Sequence, residues 1–387
     1  MKIKYIETER YKLERHANKA LFGLYRNPFT HPPCVRSAVE STTNTNKIYW
    51  ADCMIALKEV ALPYEIDPHT LETLCYDPFG DQIQSKTFTA HPKVDPYTDE
   101  LVVSGYEAKG LATKDIVIYA LDKDGMQHDE RLERLKAGKH HWTWNYDLPA
   151  TFVIVPRRNT SQPSGWKEGE YRTYSWKNCM TIHTGGAWEG QNGKLYLESS
   201  RVHDYAFPFF PTDGGKKPSP DAKADFVRWE FDLNLPDGSK IPDPLVILDT
   251  PSEFPRMDER FMTKEYDFIF LNGFIPDRHR TKETHWYHAG DDSLVQEPVF
   301  IPRSADAPEG DGWVLAMVEQ RAANSCRLVV LDTKEFEKPI AFVQLPLHVK
   351  AQVHGNWVSG SLLSTEKSLV RTFHSPTISN RGSLVSA

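Results

Sequence analysis

Val330-Leu331-Asp332-Thr333-Lys334 ends an aliphatic run on an aspartate and a tight turn, and the same device recurs along the chain. It stands at Ala120-Leu121-Asp122-Lys123-Asp124-Gly125 and at Phe231-Asp232-Leu233-Asn234 with Pro236-Asp237-Gly238. Tyr64-Glu65-Ile66-Asp67-Pro68-His69-Thr70-Leu71 and Val94-Asp95-Pro96-Tyr97-Thr98-Asp99-Glu100-Leu101 are further short β runs broken by turn chemistry. Hairpins repeated over most of a chain, with few helical segments between them, favour a closed antiparallel array over a parallel α/β sheet. An all-β fold is therefore expected, a β-propeller before a pair of sandwiches.

Helical spacing is confined to short stretches. From Arg10 to Tyr25, Leu13, Ala17, Ala20, Leu21 and Leu24 share one face and Pro28 follows, which predicts an amphipathic helix. Glu130 to Lys136 predicts a second, with Leu132 and Leu135 on one side and Gly138 as its stop. Residues 359–387 are rich in serine and hold one aromatic residue, Phe373, so residues 1–358 are read as the folded domain and the rest as a disordered tail.

With 387 residues, 40% hydrophobic and 12% aromatic, the chain can fill a large core. A formal charge of −7, from 46 basic and 53 acidic residues without a basic block, argues against nucleic acid as a partner. Cys34, Cys53, Cys75, Cys179 and Cys326 are odd in number, widely spaced and form no Cys-x-x-Cys, so neither a disulfide framework nor a thiolate zinc site is expected. A reducing, cytoplasmic setting fits them. The first residues contain no apolar signal core and no run of 18 apolar residues occurs, so no targeting or transmembrane segment is expected.

Chemistry is concentrated at three histidines: Thr89-Ala90-His91-Pro92-Lys93, His183-Thr184-Gly185-Gly186-Ala187-Trp188-Glu189 and His354-Gly355-Asn356-Trp357. Any one of 15 histidines is by default solvated or bonded to a backbone carbonyl. These contexts differ: proline after His91 forces extended backbone, and glycines after His183 and His354 let the main chain pass close to a cofactor. Imidazoles without thiolate or carboxylate suit a borderline divalent metal with open positions but do not separate iron from zinc or copper. Ligating histidines hand their second N–H to an acid. Glu59 after Ala56-Leu57-Lys58, Glu253 in Ser252-Glu253-Phe254-Pro255-Arg256 and Glu297 in Gln296-Glu297-Pro298-Val299 occupy apolar or proline-marked stretches where such acids would sit, although an ordinary ion pair is the bland alternative for each.

Together these segments resemble the carotenoid cleavage oxygenases, non-haem iron dioxygenases that split a carbon–carbon double bond. The resemblance runs from about Tyr5 to Val358. It implies a seven-bladed propeller with a few helices capping one face and Fe(2+) on its axis, held by four histidines of which three are oriented by glutamates. His91, His183 and His354 are the ligands it implies here, with Glu253 behind His183 and Glu297 behind His354. Ala20-Leu21-Phe22-Gly23-Leu24-Tyr25-Arg26-Asn27-Pro28, Ala56-Leu57-Lys58-Glu59 and Leu132-Glu133-Arg134-Leu135-Lys136-Ala137-Gly138 look most like the stilbenoid-cleaving branch. In that branch a tyrosine and a lysine, here Tyr25 and Lys58, hold the phenolic hydroxyl of the substrate. The implied reaction uses O2 to cleave the central double bond of a phenolic stilbenoid into two aldehydes. A carotenoid or apocarotenoid substrate, and a catalytically inactive propeller serving as a binding scaffold, are the alternatives.

The chain departs from the family at two places. The resemblance implies that opening propeller strands at the N-terminus are missing, and with them the His-Asp-aromatic strand that carries the second histidine, in a segment near residue 130. His128-Asp129 offers a histidine there, read as the pair after the turn rather than as the ligand. Glu59 would then lack the imidazole it orients, so its carboxyl pKa is expected to rise, leaving it protonated or turned toward Lys58.

Overall fold

The computed structural model describes residues 3–22, 42–59, 61–80, 83, 85–110, 115–121, 144–156, 163, 165–167, 170–207, 222–273, 284–349, 353–363 and 385–386. The chain divides into two compact units, one of Met1–Trp142 with Val358–Ala387 and one of Thr143–Trp357.

The first unit opens on helix α1, Glu9–Ala17, started by the Thr8 side chain, which accepts from the Tyr11 N–H. It is much shorter than the expected Arg10–Tyr25 span. Asn18 turns left-handed at φ 51 and ends the helix. The Glu14 carboxylate then draws the chain back by accepting from the N–H groups of Leu21 at 3.0 Å and Phe22 at 3.1 Å. Leu13 stays 40% exposed, so the apolar spacing marks no packed helical face.

Strands β1 (Asn46–Trp50), β2 (Cys53–Leu57), β3 (Tyr64–Ile66) and β4 (Thr73–Tyr76) form one antiparallel meander. A second sheet holds β5 (Lys93–Val94), β6 (Leu101–Tyr106) and β7 (Asp115–Leu121). Alternate residues point inward: Leu101 and Val103 of β6 and Val117, Tyr119 and Leu121 of β7 pack with Ile55, Leu57 and Phe88 in a single core. Each fully buried aliphatic side chain contributes roughly 1.5–3 kcal/mol. The two Asp-Pro turns are built alike. The Asp67 carboxylate accepts from the N–H groups of His69 at 2.8 Å and Thr70 at 2.7 Å, and Asp95 accepts from Tyr97 at 2.8 Å and Thr98 at 3.3 Å. Both turns finish on a left-handed residue, Leu71 and Asp99. An aspartate that bonds the backbone two and three residues on is what reverses these strands.

In the second unit β8 (Ala150–Ile154) and β9 (Arg172–Trp176) pair antiparallel, and β10 (Met180–Glu189), β11 (Lys194–Val202) and β12 (Ala224–Asp232) continue as a long meander. The turn at Pro236-Asp237-Gly238 is not the expected hairpin. The chain leaves the sheet there, with Gly238 at φ 78, to lay β13 (Ser239–Lys240) parallel to β9. It then returns as β14 (Leu245–Leu248) beside β12. Asp237 makes this departure by accepting from the Thr173 N–H and hydroxyl, both at 2.7 Å, on β9.

Strands β15 (Ser252–Met257) and β16 (Ile269–Gly273) form a two-stranded ribbon. A last sheet is built from β17 (Ser293–Val295), β18 (Val299–Pro302), β19 (Gly312–Gln320), β20 (Ser325–Asp332) and β21 (Pro339–Gln344). Here the expected reversal is present, with Asp332 capping a short helical turn at Thr333–Glu335 between β20 and β21. Strand β22 (Val385–Ser386) runs beside β7 in the first unit.

The all-β expectation holds, with one α-helix among the described residues. The expected turn beyond Leu121, the expected helix at 130–136 and residues 364–384 of the expected tail lie outside the described residues.

Candidate metal centre

His183 stands where β10 loses register with β11. Thr181 pairs with Arg201, Thr184 with Ser199 and Ala187 with Leu197, so three steps on β10 twice match two steps on β11. Such consecutive bulges bend a strand and re-aim its side chains. The glycines after His183 were expected to admit a cofactor, but the space is filled by protein. A Cβ on Gly186 would lie 2.1 Å from the Tyr266 ring, and one on Gly185 would lie 2.7 Å from Ile269.

Glu253 meets His183 from a second irregularity. Between Glu253 and Arg256 the β15–β16 register slips, and Phe254 takes φ 54, a left-handed conformation that a bulky residue rarely adopts. The Phe254 N–H donates to the Glu253 carboxylate at 2.8 Å, whose same oxygen lies 2.5 Å from His183 Nδ1. The Phe254 ring stacks on the His183 ring at 4.9 Å and meets the His354 ring edge-on at 5.9 Å. Strain of this kind persists only where the surroundings hold it, and it gathers at functional sites.

His354 is positioned by Glu297, which lies between β17 and β18. Its Nδ1 is 3.0 Å from Glu297 Oε1, while Oε2 accepts from the Gly355 N–H at 2.9 Å. Arg256 closes the loop: its guanidinium donates to Glu297 Oε2 at 3.0 Å, to the Gly355 carbonyl at 2.8 Å, to Glu259 at 2.8 Å and to Asn356 at 3.0 Å. Burial pushes the Glu297 carboxyl up, but His354 and Arg256 outweigh it and hold it below the usual carboxylate range.

Within this unit the two imidazoles converge, with centroids 5.0 Å apart and planes at 85°. A carboxylate at Nδ1 assigns that nitrogen the proton and makes Nε2 the lone-pair donor of each ring. Perpendicular imidazoles with acids behind them fit a borderline divalent metal.

The first unit holds the third pair. His91 Nε2 lies 3.6 Å from Glu59 Oε1, and Lys58 Nζ lies 3.6 Å from Glu59 Oε2. The expected rise in the Glu59 pKa does not occur. Burial does push its carboxyl up, but His91 and Lys58 outweigh that and bring it down to about 2. The expected turn toward Lys58 does occur. The Lys58 side chain is only 19% exposed. Tyr25 and His128 lie outside the described residues.

Sequence reasoning did not find Phe254, Arg256 or Tyr266 as parts of this site. Arg256 and Phe254 flank Glu253 in the sequence, and the usable signal is the Glu-Phe-Pro-Arg string itself. Tyr266 carried no local signal.

The chain matches the family described as RPE65, retinal pigment epithelial membrane protein, over residues 1–133 and 126–359. It is 58% identical to resveratrol cleavage oxygenase 1 of Botryotinia fuckeliana over 434 aligned positions, covering 99% of this chain and 78% of that one. It is 32% identical to lignostilbene-alpha,beta-dioxygenase isozyme III of Sphingomonas paucimobilis, covering 93% of this chain and 83% of the relative. A crystal structure of Pseudomonas brassicacearum lignostilbene dioxygenase superposes with a TM-score of 0.82 at 32% identity, covering 92% of this chain and 83% of that one. The fold is thus of the all-β propeller type.

Proposed function

From the premise that this chain belongs to the carotenoid oxygenase family described as RPE65, we propose that it is an iron(II)-dependent dioxygenase acting on a phenolic stilbenoid. The reaction would use O2 to cleave the central C=C bond into two aldehydes. The seven-bladed ring is part of this reading, supported by the likeness to a lignostilbene dioxygenase structure. So is a reducing, cytoplasmic setting: none of the described cysteines, Cys53, Cys75, Cys179 and Cys326, is in a disulfide, and no helix among the described residues is long and apolar enough to cross a membrane.

The observation that carries the proposal is the perpendicular pair His183 and His354, each with Nδ1 on its own carboxylate. His91 is proposed as the third ligand. Bound iron would supply Lewis-acid and oxygen-activating chemistry. Glu253 and Glu297 keep the two imidazoles in one tautomer and raise their basicity. Lys58, with Tyr25, is proposed to hold the substrate phenol: an ammonium beside a phenol favours the phenolate, which pushes electron density into the conjugated double bond. Alignment to the Botryotinia relative runs over 434 positions, more than the 387 residues of this chain, which supports the reading that a segment bearing a further histidine is missing. Three imidazoles in place of four should hold iron more weakly than in an intact relative.

Iron per chain and conversion of resveratrol to aldehydes test this together. Wild type reconstituted with iron(II) should retain metal, His183→Ala and His354→Ala should lose it, and Lys58→Ala should keep the metal while losing turnover of the phenolic substrate. Iron retained equally by both histidine variants would remove the proposal.

A further inference from the structure

The double bulge that displays His183 is held by a buried polar chain away from the acids of the proposed centre. Tyr266 lies with its ring against Gly186, where a Cβ would fall 2.1 Å from it, and with its hydroxyl beside Gly185. Its hydroxyl accepts the Gly186 N–H at 3.1 Å and donates to the Glu198 carboxylate of β11. Glu198, 2% exposed, is held from the other side by Arg228 of β12, whose Nε and Nη2 donate to Oε1 at 2.8 Å and 2.7 Å. The Arg228 guanidinium in turn lies over the Trp188 ring at 4.8 Å, and Trp188 packs edge-on to Tyr266 at 5.5 Å. The chain of contacts therefore starts and ends on β10, two and five residues past Gly186 and His183, and crosses β11 and β12 between.

A bulge leaves backbone N–H groups outside the ladder, and a buried one must find another acceptor. The Tyr266 hydroxyl is that acceptor for Gly186. It is a poor thing to lose: Glu198 would keep only Arg228, and the Gly185-Gly186 backbone would be free to slide back toward regular pairing, which turns the preceding side chain toward the opposite face. Burial and the Glu198 charge push the Tyr266 hydroxyl far above the ordinary phenol range, so it remains a proton donor to Glu198 at any working pH.

We infer that Tyr266 is a positioning residue for His183, fixing the Gly185-Gly186 bulge so that the imidazole keeps its angle to Glu253 and His354. The inference rests on the reading of His183 as a metal ligand. It adds a second support, independent of Glu253, that acts on the backbone and not on the ring.

Cobalt(II) titration of the metal-free full chain, followed by its visible absorption band, tests it without recourse to turnover. Tyr266→Phe should unfold cooperatively like wild type yet bind cobalt roughly 10-fold more weakly, within the range typical of lost outer support, and with a shifted band. His183→Ala separates the two levels of the argument. If it binds cobalt as wild type does, the ligand reading fails and the inference with it. If it loses the band while Tyr266→Phe keeps wild-type affinity and an unshifted band, the ligand reading stands and the positioning role is wrong. Should Tyr266→Phe lose cooperative unfolding, Arg228→Lys, which removes one of the two bonds to Glu198, is titrated in its place under the same two outcomes.

Discussion

Glu253 shows how much of a site a residue can reveal by type and how little by position. A glutamate in Ser252-Glu253-Phe254-Pro255-Arg256 was legible as a candidate because proline and phenylalanine flanks are unusual for a solvent-facing acid. What the string could not show is that Phe254 turns left-handed and lays its ring on His183, since that conformation is imposed by the β15–β16 slip and not by any local preference of phenylalanine. Glu59 teaches the reverse. A missing partner implies a raised pKa, whereas His91 and Lys58 outweigh the burial and bring the carboxyl down to about 2. At Glu253 the charge is the testable quantity. Glu253→Gln keeps an oxygen that can accept the His183 Nδ1–H but removes the negative charge that makes the imidazole basic. Iron or cobalt affinity should fall by about 10- to 100-fold with stability changed by less than about 1 kcal/mol, read by metal titration and urea unfolding on the same preparation. Unchanged metal affinity would mean that Glu253 serves only as a hydrogen-bond acceptor.

At the scale of elements, the turns were the legible part because their chemistry is local. Asp67 and Asp95 bond the backbone two and three residues ahead, so each turn is written in one short string. Helix α1 and the β10 bulges were not legible for the opposite reason. The helix ends at the left-handed Asn18, after which Glu14 gathers the N–H groups of Leu21 and Phe22, and a bulge exists only relative to the strand it fails to match. The β11–β12 pairing carries a testable electrostatic link of this cross-strand kind. Arg201, opposite Asp225, donates to both of its oxygens at 2.9 Å and 2.5 Å, and His203 adds a contact at 2.9 Å. Burial pushes the Asp225 carboxyl up, but Arg201 and His203 outweigh it and hold it below its usual value of 3.8. A folded pKa below the unfolded one gives stability that is fully present above the unfolded pKa and is lost as pH falls through the folded one. Asp225→Asn should therefore cost about 3–5 kcal/mol at pH 7, leaving the Arg201 charge buried without its partner. In urea titrations the gap between wild type and variant should narrow as pH drops below about 4. A gap that stays constant into that range would show that packing, not charge, joins the strands.

For the whole molecule, the β class was legible because turn strings recur over most of the chain. How the strands are shared among sheets was not: β13 leaves its neighbours to pair with β9, held there by contacts such as those of Asp237 to Thr173 that no local string displays. The proposed metal makes a prediction at this scale, because the three histidines proposed to hold it, His91, His183 and His354, stand far apart in the sequence. An ion that binds the folded chain and not the unfolded one adds about 2.7 kcal/mol at a hundredfold excess over Kd. Unfolding entropy scales with length, at about 2.1 cal/mol/K per residue, so for a chain of 387 residues that gain corresponds to a rise in Tm of about 3 °C. Calorimetry with and without iron(II) or cobalt(II) should show this rise in wild type and its loss in His183→Ala and in His91→Ala alike. The rise should also vanish on acidification as the imidazoles take up protons, since ligation requires their neutral form. His91 is the decisive variant: if its loss leaves the full rise while the loss of His183 abolishes it, the ion is held without His91 and the proposal of three imidazole ligands is wrong.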